Sequence, residues 1–397
     1  MFNTIESLSP DPLLGIIEKF NKDPRPQKID LGVGVYRNAL NQTPVLNSVK
    51  RAEQFLLDHQ QSKSYLGAAG DTQFARELLS LALGETHPCL QDRRIAALQT
   101  PGGCGALRVA AELIVRAKPQ AKMWVSDPTW ANHIPLLGGA GIKIEVYPYY
   151  DYEAKCIRFD ALMETLKRAD SGDLVLLHAC CHNPCGADLS PEQWQQVVNL
   201  IAKRALVPFV DMAYQGFGQG LDDDAYGLRL VAKKLPEAAF AISCSKNFGL
   251  YRDRVGLVGF ITESAKASQA VFSHLAQIVR GIYSMPPDHG AAVVGRILSD
   301  SALRKEWIVE LSEMRQRIQA MRIGLVAGMS EKGFAERFAF VQHERGMFSF
   351  LGVEPQQVSH LAEHSGIYMA DSSRINIAGL NENNLPYFCD ALANLIR

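Results

Sequence analysis

Six stretches between residues 95 and 265 set the limits on the fold. They are KMWVSDP (122–128), IKIEVYPY (142–149), LVLLHACC (174–181), VPFVDMA (207–213), AAFAISCS (238–245) and VGLVGFI (255–261). Several are near-continuous apolar runs, and amphipathic helical stretches lie between them. A strand that is apolar on both sides needs cover on both faces. The pattern therefore predicts an α/β domain built on a mainly parallel sheet.

The chain continues well beyond that domain. At 397 residues it has room for about two to three domain-sized units. Leu303, Trp307, Leu311, Met314, Ile318, Met321 and Leu325 recur at spacings of four and three. This predicts one long helix joining two domains rather than a coiled coil. Beyond it, FAFVQ, GMFSFLGV and SRINIAG read as short strands among helices, which describes a smaller α+β unit. Near the start, SPDPLLGIIEKFNKDPRP predicts a short helix. Asp11 caps it, Pro12 suits its first turn, and Pro24 and Pro26 end it.

Charge excludes some partners. Lys and Arg (41) nearly cancel Asp and Glu (42), so a net charge of −1 leaves no footprint for nucleic acid or an anionic membrane. No apolar run is long enough to span a bilayer. The first residues lack a basic n-region and an apolar h-region, so the eight cysteines read as reduced thiols of a cytoplasmic protein.

Three motifs invite over-reading. Ser243-Cys-Ser-Lys246 matches S-x-x-K, but the S-D-N and K-T-G elements of penicillin-recognising enzymes do not occur. LGVGVY (31–36) and TPGGCGA (100–106) fit neither G-x-G-x-x-G nor a Walker loop. The second leads into a strong helix, Leu107–Arg116, whose free N–H groups suit a phosphate. HACCHNPCG (178–186) resembles a ligand cluster, yet neighbours on a strand point to opposite faces. Cys180 and Cys181 are then poorly placed to chelate together, and no metal is expected.

The strand ends carry the chemistry. Asn183 follows one strand. Asp211 ends another, with Tyr214 three residues on. Ser243, Ser245 and Lys246 end the next, and Arg254 lies eight residues further. Ligands of open α/β sheets bind at such edges. A lysine, a carboxylate, a phenol, an amide, an arginine and a phosphate-ready helix together point to pyridoxal 5′-phosphate (PLP). The lysine condenses with its aldehyde, and the carboxylate keeps its ring nitrogen protonated. The arginine and helix start take the phosphate.

With these motifs in place, the chain resembles the class I, fold-type I aminotransferases of the aspartate/aromatic group over essentially its full length. The resemblance rests on DLGVGVYR, SYLG, QTPGGCGALRVAA, VSDPTWANH, CCHNPCGADL, DMAYQGFGQGLDDDAYGLR, SCSKNFGLYRDRVG, RGIYSMPPDHGA, GMFSF and SSRINIAGL. It implies a large domain with a seven-stranded sheet (44–311), a small domain (12–43 and 312–397) and an N-terminal arm (1–11). It also implies a homodimer with shared active sites.

By the same resemblance, Lys246, Asp211 and Tyr214 are catalytic. Lys246 is the cofactor-bonding lysine, and Asp211 is backed by His133. Tyr214 and Asn183 face the ring oxygen, and Trp130 stacks on the ring. Gly103, Cys104, Ser243, Ser245 and Arg254 form the phosphate cup, joined by Tyr65 of the neighbouring subunit. Arg374 grips the substrate α-carboxylate, assisted by Gly34 and Asn183. Arg280 reaches across for a side-chain carboxylate, and Phe348 lines the small-domain side. The Asn183–Pro184 and Asp127–Pro128 bonds are expected to be cis.

Two departures stand out. Cys104 replaces the usual Thr or Ser of the cup, and a thiol is a weaker donor. Met285 stands where aspartate-preferring relatives have Asn, which makes the wall beside Arg280 more apolar. VSDPTWANH resembles the aromatic-preferring branch, whereas Val35 and Thr43 resemble the aspartate-preferring one. The expected reaction is transamination of Tyr, Phe and Trp, and of Asp, with 2-oxoglutarate. An aspartate-preferring enzyme is the alternative.

Overall fold

The structure is a computed structural model that describes residues 2–7 and 12–397. The chain divides into two compact units, one of residues 44–316 and 344–346, the other of residues 2–7, 12–43, 317–343 and 347–397. Asp11, expected to cap the first helix, lies outside the described residues, as do residues 1 and 8–10 of the expected arm. That helix runs Pro12–Lys22.

The larger unit is built on seven strands: β1 (Ile95–Pro101), β2 (Lys122–Asp127), β3 (Lys143–Pro148), β4 (Leu174–His178), β5 (Val207–Met212), β6 (Ala238–Ser243) and β7 (Val255–Ile261). Their order is β1-β7-β6-β5-β4-β2-β3. The pairs from β6 to β3 are parallel, and β7 runs antiparallel between β1 and β6. The C-terminal ends of β1, β2, β4, β5 and β6 therefore share an edge with the start of β7.

β1 was not among the apolar runs singled out above. Its IAALQTP carries Gln99 and Thr100, both buried. Gln99 finds its partners outside the sheet, donating to Pro287 O at 2.6 Å and accepting from Asp71 N at 2.8 Å. A buried amide that is fully bonded does not oppose a strand.

The helix after β1 runs Gly102–Ala117, five residues earlier than expected. Three glycines in its first turn are poor helix formers, but packing overrides that cost. Leu107, Ala110, Leu113 and Ile114 pack with Leu98, Met123, Leu176, Phe209 and Val258 in one core cluster. Each fully buried Leu or Ile there stabilises by about 1.5–3 kcal/mol.

β4 ends at His178, not at Cys181. The expectation that Cys180 and Cys181 point apart fails for this reason. Cys181 adopts a positive φ of 51°, and its sulfur lies with Cys180 Sγ and an Asp224 carboxylate oxygen, all within 4.8 Å of one another.

The long helix runs Ser301–Glu331, and all seven of its periodic apolar residues are buried. Its early part fixes the loop after β6: Trp307 Nε1 donates to Asn247 O at 2.7 Å, and its ring stacks on Phe248 at 4.4 Å.

In the smaller unit, Phe348–Phe350 and Arg374–Asn376 pair antiparallel, and Ile29–Asp30 pairs parallel with Ile367–Tyr368. FAFVQ is not a strand: Ala335–Phe338 is helical and Ala339–Gln342 is a 3₁₀ turn. Its buried residues, Phe338 and Val341, are three apart, which is the 3₁₀ period. Arg322 is fully buried and donates to Val341 O (3.0 Å), Ser349 Oγ (2.6 Å) and Phe348 O (2.7 Å).

Candidate active site

The shared strand edge gathers most of the expected residues of the larger unit. Lys246 lies three residues past β6, and its Nζ stands 4.6 Å from the centre of the Tyr214 ring. Burial lowers the pKa of this amine, and the nearby Asp211 charge opposes that shift. A buried amine with a depressed pKa is a usable base and nucleophile.

Asp211 sits in β5, buried. Its Oδ2 is 2.9 Å from His133 Nε2. Burial pushes this carboxyl up, but the hydrogen bond with His133 and the nearby Lys246 outweigh it, so it rests below its ordinary value. Asp211 is therefore ionised, which suits the partner of a protonated ring nitrogen.

Behind His133 runs a network that sequence reasoning missed. His133 Nδ1 is 2.8 Å from Thr129 Oγ1, which is 3.3 Å from His178 Nε2. His178 stacks on His182 at 4.0 Å, and His182 contacts Ser126 Oγ (3.0 Å) and Cys185 Sγ (3.1 Å). Burial lowers the His178 pKa to about 3 and holds His182 well below the usual range. Both rings are neutral near pH 7. The only visible signal was the two histidines of HACCHNPCG, and the spacing of a ligand cluster concealed it. Nothing in the sequence pointed to Thr129.

Ser243 and Ser245 form the cup with Arg254. Ser243 Oγ donates to Ser245 Oγ at 3.2 Å, and Arg254 Nη1 donates to the same oxygen at 3.2 Å. The cup closes on the start of helix Gly102–Ala117. A Cβ on Gly102 would stand 2.5 Å from Arg254 Nη2, and one on Gly256 would stand 2.5 Å from the Gly102 carbonyl carbon. Gly103 lies against Ser243, and Cys104 is the third residue of the helix. Free N–H groups, two hydroxyls and a guanidinium make an anion site.

Asn183 is delivered by the loop after β4, and the Asn183–Pro184 and Asp127–Pro128 bonds are both cis. The loop is held by Asp188, another residue that motif reading passed over. Asp188 Oδ2 accepts from Cys181 N (2.7 Å) and Oδ1 from His182 N (2.8 Å). The Asn183 side chain is buried, and its Oδ1 has no hydrogen-bond partner. A buried amide without a partner awaits a polar ligand atom. Trp130 packs edge-on to His133 at 5.2 Å. The orphaned amide, the ionised Asp211, the free Lys246 amine and the anion cup together fit PLP.

Tyr65 and Arg280 are not part of this group. They line a separate hollow of ≈ 530 Å³ with Gly67, Ala68, Ser284 and Met285, and Tyr65 is 90% exposed. Arg280 donates to Ser284 Oγ.

The smaller unit gathers the other three. Arg374 Nη2 donates to Gly32 O at 2.7 Å, and its guanidinium lies 4.4 Å from the centre of the Phe348 ring. A Cβ on Gly34 would stand 2.8 Å from Phe348 Cζ. Arg374, Phe348 and Gly34 thus form one contact group.

Known proteins similar to this chain are aminotransferases. Residues 26–392 match the family model "Aminotransferase class I and II". The chain is 46% identical to the aromatic-amino-acid aminotransferase of Pseudomonas aeruginosa, covering 99% of this chain and 98% of the relative. It is 44% identical to the aspartate aminotransferase of Salmonella typhi, covering all of both. An aromatic-amino-acid aminotransferase from Burkholderia pseudomallei, crystallised covalently bound to pyridoxal phosphate, superposes with a TM-score of 0.98 at 40% identity, over 100% of both chains.

Proposed function

Because the chain belongs to the class I and II aminotransferases, we propose that it transaminates aromatic amino acids with 2-oxoglutarate and accepts aspartate as a second donor. The aromatic set is tyrosine, phenylalanine and tryptophan. The products are a 2-oxo acid and glutamate, made in two half-reactions. The chain is an enzyme of the aminotransferase class, and its cofactor is pyridoxal 5′-phosphate.

The carrying observation is the buried Lys246 amine set at one strand edge with ionised Asp211 and the Ser243–Ser245–Arg254 cup. When bound, the cofactor supplies an electron sink for charge left at the substrate Cα. Lys246 accepts and returns the Cα proton at Nζ. Asp211, supported by His133, keeps a proton on the ring nitrogen. Tyr214 and Asn183 would donate to the ring oxygen, and Trp130 would cover the ring face. Arg254, Ser243, Ser245, Gly103 and Cys104 hold the phosphate. Arg374 takes the substrate α-carboxylate as a two-pronged partner, with Gly34, Asn183 and Phe348 beside it.

Tyr65 and Arg280 serve the site of a second copy, which makes the enzyme a homodimer with shared sites. The exposure of Tyr65 supports this reading. In it, residues 44–311 are the cofactor domain, 12–43 and 312–397 the small domain, and 1–11 an arm. No helix among the described residues is long and apolar enough to cross a membrane, and a cytoplasmic location is part of the proposal.

Arg280 favours a dicarboxylate partner, and Met285 in the same hollow favours an apolar side chain. The alternative is an enzyme that prefers aspartate. Titrating the cofactor absorbance with Phe, Tyr and then Asp, with kcat/KM for each against 2-oxoglutarate, decides between them. Comparable values for Tyr, Phe and Asp are expected. A large preference for Asp with negligible turnover of Phe and Tyr sinks the aromatic reading.

A further inference from the structure

The loop after β4 carries a second group of donors that the cofactor set does not use. Cys180 Sγ, Cys181 Sγ and an Asp224 oxygen lie within 4.8 Å of one another. Both cysteines are buried, at 5% and 1% exposure. Cys180 nevertheless lines a hollow of ≈ 180 Å³ together with Asp188, Trp194, Asp224 and Arg345.

The donors are unequal. The Asp224 carboxylate already accepts from Gly216 N (2.8 Å), Gly218 N (2.9 Å) and Gln219 N (2.8 Å). Its charge is committed to a nest of backbone donors. The two sulfurs remain as the strong ligands, and they are soft. The neighbouring Cys181 thiol and burial hold the Cys180 thiol well above its ordinary pKa, so a hard divalent ion gains little here. The suited electrophile bonds both sulfurs covalently and removes their protons as it does so.

We propose that Cys180 and Cys181 form a chelating dithiol site for a trivalent organoarsenical of the R–As=O class. Two S–H bonds and the As=O bond break. Two As–S bonds form, and both protons leave with the oxygen as one water. Arsenic stays trivalent and neither sulfur is oxidised. The site is coupled to Asn183, which lies two residues downstream of Cys181 in the segment that Asp188 clamps. Tying the two sulfurs together constrains the segment that carries Asn183.

The test uses the holoenzyme and phenylarsine oxide, in the presence of excess 2-mercaptoethanol to remove single-thiol adducts. Intact-mass and peptide mass spectrometry should show one phenylarsenic group per chain, with loss of one water, on the peptide holding residues 180 and 181. Addition of 2,3-dimercaptopropanol should release it. Cys180→Ser and Cys181→Ser should each abolish the adduct, with Cys180→Ala as a second variant and cofactor absorbance as the check of folding. Cys156→Ser, at an exposed cysteine, should leave it intact. Transaminase activity of the loaded enzyme should fall on the order of a hundredfold, the scale of an ångström-level displacement near a reacting centre. No adduct, an adduct on another peptide, or one that persists in either single serine variant overturns the site. Full activity of the adduct overturns the coupling to Asn183.

Discussion

The two ends of the cofactor set are built from opposite materials. The Asp211 end is a carboxylate backed by three histidines, two of which burial holds neutral. The Arg254 end is a guanidinium, two hydroxyls and a helix start. One end sets the charge of a ring atom through a buried carboxylate in hydrogen-bond contact with His133. The other supplies fixed donors to a group that stays anionic. The first should therefore govern rate, and the second retention.

Substitutions at the two ends test that division. Asp211→Asn keeps the shape and removes the charge. It should lower kcat/KM for tyrosine by roughly 10²–10³-fold, as loss of a preorganised electrostatic partner does elsewhere, with cofactor still bound by absorbance. Arg254→Ala should instead weaken cofactor retention by roughly 10–100-fold, the worth of a hydrogen bond to a charged group. Its kcat at saturating cofactor should be far less affected, as dialysis followed by titration would show. If Arg254→Ala cripples kcat and Asp211→Asn mainly sheds cofactor, the division is wrong.

Cys104→Ser sharpens the cup end. A hydroxyl is the better donor, so retention should improve by up to about fivefold, or ~1 kcal/mol. An unchanged off-rate would mean that the thiol makes no contact with the phosphate.

A stability effect concerns the loop between the two ends. Burial pushes the Asp188 carboxyl up to about 6. The folded chain then binds this proton more tightly than the unfolded chain, whose aspartate titrates near 3.8. The stabilising contribution of this group is full below about pH 4 and lost as pH rises through about 6. Asp188→Asn should flatten that part of the stability profile. Urea midpoints measured between pH 4 and 7 on both proteins give the comparison, and an unaltered slope would place the titration elsewhere.

Legibility in the sequence followed the same divide. Lys246, Asp211, Asn183, Ser243 and Ser245 were readable because each stands where an apolar run stops, and Arg254 because it stands where the next one starts, at the sheet edge where such folds bind ligands. The histidine network was not, because His133, His178 and His182 belong to two segments that meet only after folding. β1 hid behind Gln99, whose bonding to Pro287 and Asp71 no periodicity reports. The end of β4 was misplaced because Cys180 and Cys181 prolong the apolar run, and hydropathy cannot register a positive φ at Cys181.

The contact of Gly102 with Arg254, and of Gly256 with Gly102, has a consequence for mutant libraries. A side chain at Gly256 meets the Gly102 backbone through space, whereas one at Gly102 (φ 71°) is also strained by the left-handed backbone as it meets Arg254. In a saturation screen both glycines will score as intolerant and will look like members of the chemical machinery. Their silence about chemistry can be recognised by its symmetry: alanine and every larger residue should fail alike, whatever the polarity, whereas positions that bond the phosphate should rank their substitutes by donor strength.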